Sequence, residues 1–186
     1  MSKVEIDRFL ALDCATTNTG FALFQGKALV NYGKLFFAGD AEHDKAMDAG
    51  RVIYSYLKEN PVSVIVMESS FLGSNPKIAA NLAMSHGAVI GAAALAGVVS
   101  VASVVPIQWQ QGIGNPRLTA DEKRAIVEEY PGKSKSWYTT ASRMLRKERT
   151  ISIVQDRLGV TTRDNDVADA IGIGLFVSEN KDRVSW

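Results

Sequence analysis

The sequence predicts an α/β protein built on one mixed five-stranded sheet, three antiparallel strands followed by parallel ones, with helices flanking it. Three observations carry that expectation. Strand-like segments at residues 9–15, 20–25 and 29–37 follow one another across turns short enough for an antiparallel meander. After Pro61, "VSVIVMES" is a continuous apolar run of the kind found in a strand covered on both faces. Beyond it, helical and strand patterns alternate, as they do where strands run parallel.

The elements follow in order. The acidic turn "GDAEHD" precedes a helix over about residues 45–58, and the apolar run forms the fourth strand. An uncharged helix is expected over 76–96, then a fifth strand over 98–105. No Asp, Glu, Lys or Arg occurs from Ile78 to Pro116, and "GAVIGAAALAGVVSVASVV" is long enough to span a bilayer. Its Ala, Gly, Ser and Val composition, with Asn81 and His86 near its start and a break at Gly97, favours a buried helix followed by a buried strand. Thr119 and Glu122 have capping-box spacing and open a short helix to Tyr130. Residues 133–149 are basic, 151–158 read as helical, and Asp164 or Asn165 caps a last helix through Val177. No repeat or linker divides the chain, so residues 1–186 are expected to form one domain.

Composition excludes little but excludes it firmly. With 46% hydrophobic and 22% charged residues, the chain reads as an ordinary globular protein. A net charge of +1 neither demands nor forbids nucleic acid, because distribution matters more than total. Cys14 is the sole cysteine, which rules out an intrachain disulfide and a cysteine-rich zinc site. The charged N-terminus has no apolar signal region, so the cytoplasm is the expected location.

The chemistry lies in four acids. Asp13 sits inside an apolar strand, where an unpartnered carboxylate is costly. Glu68 ends the fourth strand, which can neighbour the first in a mixed sheet. In "DNDVADAIGIG", Asp166 and Asp169 are three residues apart and share a helical face that continues through Ala170 and Ile173. Singly, each has a plain reading as a turn, strand-end or cap residue. Together they would repel strongly unless cations sat between them. Oxygen ligands with no nearby Cys or His favour Mg²⁺, with Mn²⁺ able to substitute, and two such ions suit phosphodiester hydrolysis.

With those residues in place, the chain resembles RuvC-type Holliday-junction resolvases, members of the ribonuclease-H-like nuclease superfamily. "LDCATTNTGFALF" resembles the family's first strand-turn-strand, with Thr19-Gly20-Phe21-Ala22 as its Thr-Gly-aromatic-small element. "VIVMESSFLGSNPKIAANLAMSHGAVIGAA" resembles its Glu strand and long dimerising helix, and "DNDVADAIGIG" its final acidic pair. The resemblance implies a ribonuclease-H-like fold and a catalytic, metal-binding set of Asp13, Glu68, Asp166 and Asp169, taking two Mg²⁺ ions. It implies that Phe71 stacks at opened junction bases. The implied activity is a metal-dependent, structure-selective endodeoxyribonuclease that resolves four-way or branched DNA by paired symmetric nicks. One departure is clear: a basic insertion at about 112–149 replaces the family's short connection, as expected of a viral or otherwise divergent member.

Within that insertion Lys133, Lys135, Arg143, Arg146, Lys147 and Arg149 oppose one acid, Glu148, for a local charge of +5. With Trp137 and Tyr138 interleaved, they suit phosphate contact and base stacking outside the chemistry. Gly87 and Gly91 form a small-xxx-small pair on the uncharged helix, fitting a two-fold homodimer. Rival readings stay open at this level. Another ribonuclease-H-like nuclease, acting on RNA or branched DNA, would share the metal logic, though the Gly-x-x-Arg element of the pre-ribosomal-RNA nucleases is missing from "CATTNTG". Actin-like ATPases would need two lobes. A non-catalytic DNA-binding relative would not need all four acids.

Overall fold

In the computed structural model, which describes residues 7–69 and 75–184, alternation along the strands decides the architecture. Strands β1 (Arg8–Cys14), β2 (Asn18–Gln25), β3 (Ala28–Phe36), β4 (Val64–Glu68) and β5 (Ser100–Val104) form one sheet of order β3-β2-β1-β4-β5. The pairs β1/β2 and β2/β3 are antiparallel, whereas β1/β4 and β4/β5 are parallel. This is the mixed five-stranded sheet the sequence predicts.

Side chains of a strand alternate between faces, so each strand feeds two cores. Phe9, Ala11, Phe24, Val64 and Val66 pack with helix α6 (Asn165–Glu179) on one side. Leu10, Leu12, Phe21, Leu23, Ile65 and Met67 pack on the other side with Ile53 and Leu57 of α1 (Glu42–Glu59) and Val89, Ala92 and Ala93 of α2 (Pro76–Leu95). The three layers are helix, sheet, helix. All the residues of α6 from Ala170 to Ser178 are buried, which is why that helix carries no charge in its interior turns.

Three elements differ from expectation. Helix α2 is long and apolar enough by length and composition to cross a membrane, yet only 22% of its apolar window is buried. Instead of lying wholly in the core it rests one face on α1 and leaves Ile78, Ile90 and Leu95 exposed. A short helix absent from the expected elements, α3 (Pro106–Gly112), follows β5, with Pro106 in its first turn. After α4 (Ala120–Glu129), the basic segment and residues 151–158 form one helix of 24 residues, α5 (Lys135–Leu158). Ser134 caps it by accepting the Trp137 amide, and no Gly or Pro interrupts it, so charge rather than helical periodicity had set its apparent boundary.

Candidate active site

The alternation that builds the cores also aims the acids. Asp13 shares the parity of Phe9 and Ala11, and Glu68 that of Val64 and Val66, so both point to the α6 side of the sheet. Leu12 pairs with Met67 in the parallel β1/β4 register, which makes Asp13 and Glu68 the next residues along the two strands. Cys14 has the opposite parity and packs behind the sheet, its Sγ 3.9 Å from Met67 Sδ.

Asp166 and Asp169 reach this edge because α6 lies unusually close to the sheet. A Cβ at Gly20 would fall 2.1 Å from the Asp166 carbonyl oxygen, so only glycine admits the helix there. Neighbouring Thr19, wholly buried, donates its hydroxyl to the Asp13 carbonyl at 3.0 Å and fixes the end of β1. Asp164 caps α6, accepting from the amides of Asp166 and Val167 at 2.9 and 3.1 Å. The Thr-Gly element therefore locks strand and helix together beneath the acids.

The electrostatics show convergence. Burial first, then the charges of Asp169, Glu68 and Asp166, push Asp13 well above the usual carboxylate range. Asp169 is pushed up to about 7, by burial foremost, with Lys147 opposing and Glu68 and Asp166 adding. Burial also raises Glu68, offset by a hydrogen bond from Trp109 and by Lys147. That bond is short, 2.7 Å from Trp109 Nε1 to Glu68 Oε2, and the indole is fully buried. Gly172 of α6 makes room for it, since a Cβ there would lie 2.7 Å from the indole ring. No local pattern in the sequence marks Trp109, because its place depends on α3 and on the docking of α6.

Among the described residues no three Asp, Glu, His or Cys side chains already form a closed metal-ligand group. The donor set nevertheless fits a hard divalent cation. All four groups are carboxylates, no imidazole or thiol faces them, and the charge of Asp13, Glu68 and Asp169 is offset only in part, by Lys147 at all three and by Arg143 at Asp169.

The basic segment lies at the chemistry rather than beside it. Arg143, Arg146 and Lys147 line a cleft of about 490 Å³ together with Glu68 and Asp169, and Arg117 and Lys123 add charge from its other wall. This corrects, for Arg143, Arg146 and Lys147, the expectation that the basic segment stands apart from the acids: a continuous α5 carries these three to the acidic edge, whereas Lys133, Lys135 and Arg149 lie elsewhere. Arg146 reaches Gln110 through one guanidinium nitrogen, while its buried Nε has no hydrogen-bond partner among the described residues. Arg149 instead pairs with Glu122 of α4 at 2.6 Å. Lys133 lies over the Trp137 ring, 5.7 Å from its centroid, and Lys135 lines a separate surface hollow between α4 and α5. Trp137 and Tyr138 are committed to each other and to Tyr130, so they fold the α4–α5 hairpin rather than offer free stacking faces. Phe71 lies outside the described residues.

Lys34 was missed altogether. From edge strand β3 it pairs with Asp164 at 2.6 Å and with Asp166 at 2.8 Å. A lone lysine on an edge strand reads as a solvated charge that discourages strand pairing, so the sequence held no signal of its role.

Compared by sequence, the chain matches no protein-family model and no curated protein. Its fold is another matter. It is similar to T. thermophilus RuvC solved in complex with a Holliday junction substrate, with a TM-score of 0.69 at 17% identity over 94% of each chain. The fowlpox virus resolvase in complex with Holliday junction DNA aligns at a TM-score of 0.54 and 14% identity, over 94% of this chain and 98% of that one. The yeast mitochondrial Holliday junction resolvase Ydc2 aligns at 0.52 and 12%, over 97% of this chain and 82% of its own. The chain therefore has the ribonuclease-H-like fold of RuvC-type resolvases, in strongly divergent sequence.

Proposed function

We propose that this protein is a divalent-metal-dependent, structure-selective endodeoxyribonuclease that resolves four-way DNA junctions by paired symmetric nicks. The observation that supports it most is the gathering of Asp13, Glu68, Asp166 and Asp169 on one sheet edge, within a fold whose solved relatives include complexes with Holliday junctions. In this reading Asp13, Glu68, Asp166 and Asp169 would hold two Mg²⁺ ions, which would supply water activation and leaving-oxygen stabilisation at a phosphodiester. Trp109 keeps one Glu68 oxygen in place, and the other has no hydrogen-bond donor among the described residues. Arg143, Arg146 and Lys147 draw the strand into the cleft and hold its phosphates against the acidic edge. Phe71 stacks on an opened base.

Symmetric cutting needs two copies, and α2 is the face best suited to join them. It carries no charged residue after Lys77, is largely exposed, and is open at Gly87 and Gly91, where an added Cβ would meet nothing within 4 Å. A two-fold pairing there matches the symmetry of a junction with two strands of like polarity.

The test is direct. Purified protein is incubated with labelled junction, fork and duplex DNA, with and without Mg²⁺, and the nicks are mapped. Paired nicks on the junction that require Mg²⁺ and vanish in Asp13→Asn, with junction binding retained, are the expected result. Near-normal cutting by Asp13→Asn would overturn the assignment.

A further inference from the structure

Asp13, Gly20 and Lys34 form one row across three strands. Asp13 pairs with Gly20 in the β1/β2 register, and Gly20 with Lys34 in the β2/β3 register. Residues in such a row point to the same face, here the α6 face, and neighbouring strands lie about 4.8 Å apart. A carboxylate and an ammonium thus flank a glycine, with their backbones about 10 Å apart. The backbone of Asp166 rests directly on that glycine. Its carboxylate stands between the two ends of the row, and in this structure it lies on Lys34 at 2.8 Å while still repelling Asp13 and Asp169.

Resting on the reading of this edge as a divalent-cation site, we propose that Lys34 is an internal placeholder cation. It neutralises Asp166 while the site is free of metal, and gives Asp166 up when a divalent ion takes its place. Three features support the assignment. The Lys34 side chain is only 18% exposed, so its charge is poorly screened and cannot be replaced cheaply by water. It has a second partner, Asp164, at 2.6 Å, so releasing Asp166 does not leave the ammonium unpaired. Asp164 is fixed as the cap of α6, so the lysine stays tethered next to the site whichever state Asp166 adopts.

The proposal makes the metal compete with a charge already present, which fixes the sign of an experiment. Mn²⁺ binding to the metal-free full chain is measured by calorimetry, with unfolding temperature recorded in parallel in EDTA and in Mn²⁺. Lys34→Met and Lys34→Gln should both lower the unfolding temperature in EDTA, because Asp164 and Asp166 lose their counter-charge. Both should bind Mn²⁺ more tightly, on the order of tenfold, equivalent to one pKa unit of electrostatic competition. Lys34→Arg should resemble the wild type in both readings. Glutamine can still hydrogen-bond the two aspartates, so it separates charge from position. Mn²⁺ binding that is unchanged or weaker in both neutral variants would overturn the placeholder role. If the wild type itself shows neither Mn²⁺ heat nor Mn²⁺-induced stabilisation, the cation-site reading fails first and the placeholder falls with it.

Discussion

At the scale of single residues, the site is held by groups that never touch substrate. Trp109 is the clearest. Its indole N–H is the hydrogen bond that opposes the effect of burial on Glu68, and its ring is wedged against Gly172. Trp109→Phe keeps an aromatic ring in the slot and removes the donor. A hydrogen bond to a charged group is worth about 1.5–3 kcal/mol, so junction cleavage should fall at least tenfold while circular dichroism stays native. Cutting at the wild-type rate would show that Glu68 is oriented by something else. The acids also set a pH signature. Asp169 is raised from the ordinary aspartate value to about 7, and Asp13 and Glu68 are raised as well, so the folded protein binds more protons than the unfolded chain in that interval. Stability is therefore greatest below about pH 4 as far as these groups are concerned, and declines as pH rises toward 7. A net loss of about 2 kcal/mol would lower the melting temperature of the metal-free protein by about 4–8 °C for a chain of this size. Melting scans from pH 4.5 to 8 in EDTA read this directly, and Mg²⁺ should flatten the decline because it favours the ionised carboxylates. A melting temperature that climbs across the window would contradict the burial of these groups.

At the scale of elements, α5 is where sequence and structure part most instructively. One helix directs its cations to different sides according to the 3.6-residue period. Arg143, Arg146 and Lys147 line the cleft, whereas Arg149 turns to Glu122. Replacing Arg143 and Arg146 together with Ala should weaken junction binding and flatten the slope of log affinity against log salt by as much as about 2 units. Because both side chains stand in the cleft with Glu68 and Asp169, cleavage at saturating enzyme should fall as well. Arg149→Ala should change the salt slope by far less and show itself at most as a small stability loss, because its partner Glu122 is solvent-screened. Salt titrations of binding by fluorescence anisotropy separate the two sets; equal slopes for both variants would refute the division.

At the scale of the whole molecule, assembly through α2 is testable without disturbing the fold. A side chain at position 87 meets open space, so Gly87→Leu should leave the unfolding temperature of the monomer within about 1 °C, or raise it slightly through the gain in helix propensity. If two α2 helices pack closely across a two-fold axis, the same change should lower the light-scattering mass to that of a monomer and abolish paired nicking. A wild-type protein that is monomeric at micromolar concentration would remove the basis for symmetric cutting through this face.

Sequence alone marked the five strands along the chain and singled out the four acids as candidates, because both rest on local signals. Alternating apolar residues specify strands, and an acid placed inside an apolar run stands out against its neighbours. It also located α6, whose cap and buried face are written in consecutive residues, although its last turn runs to Glu179 rather than ending at Val177. Tertiary structure alone decided what surrounds the acids. Lys34 and Trp109 lie 132 and 57 residues away in sequence from Asp166, on β3 and α3, and only the sheet register and the docking of α6 bring them in. The exposure of α2 was equally illegible, since an uncharged helix reads the same whether it is covered by its own sheet or left for a partner. The physical reason is common to all three: periodicity reports which face of an element is apolar, but not which other element that face will meet.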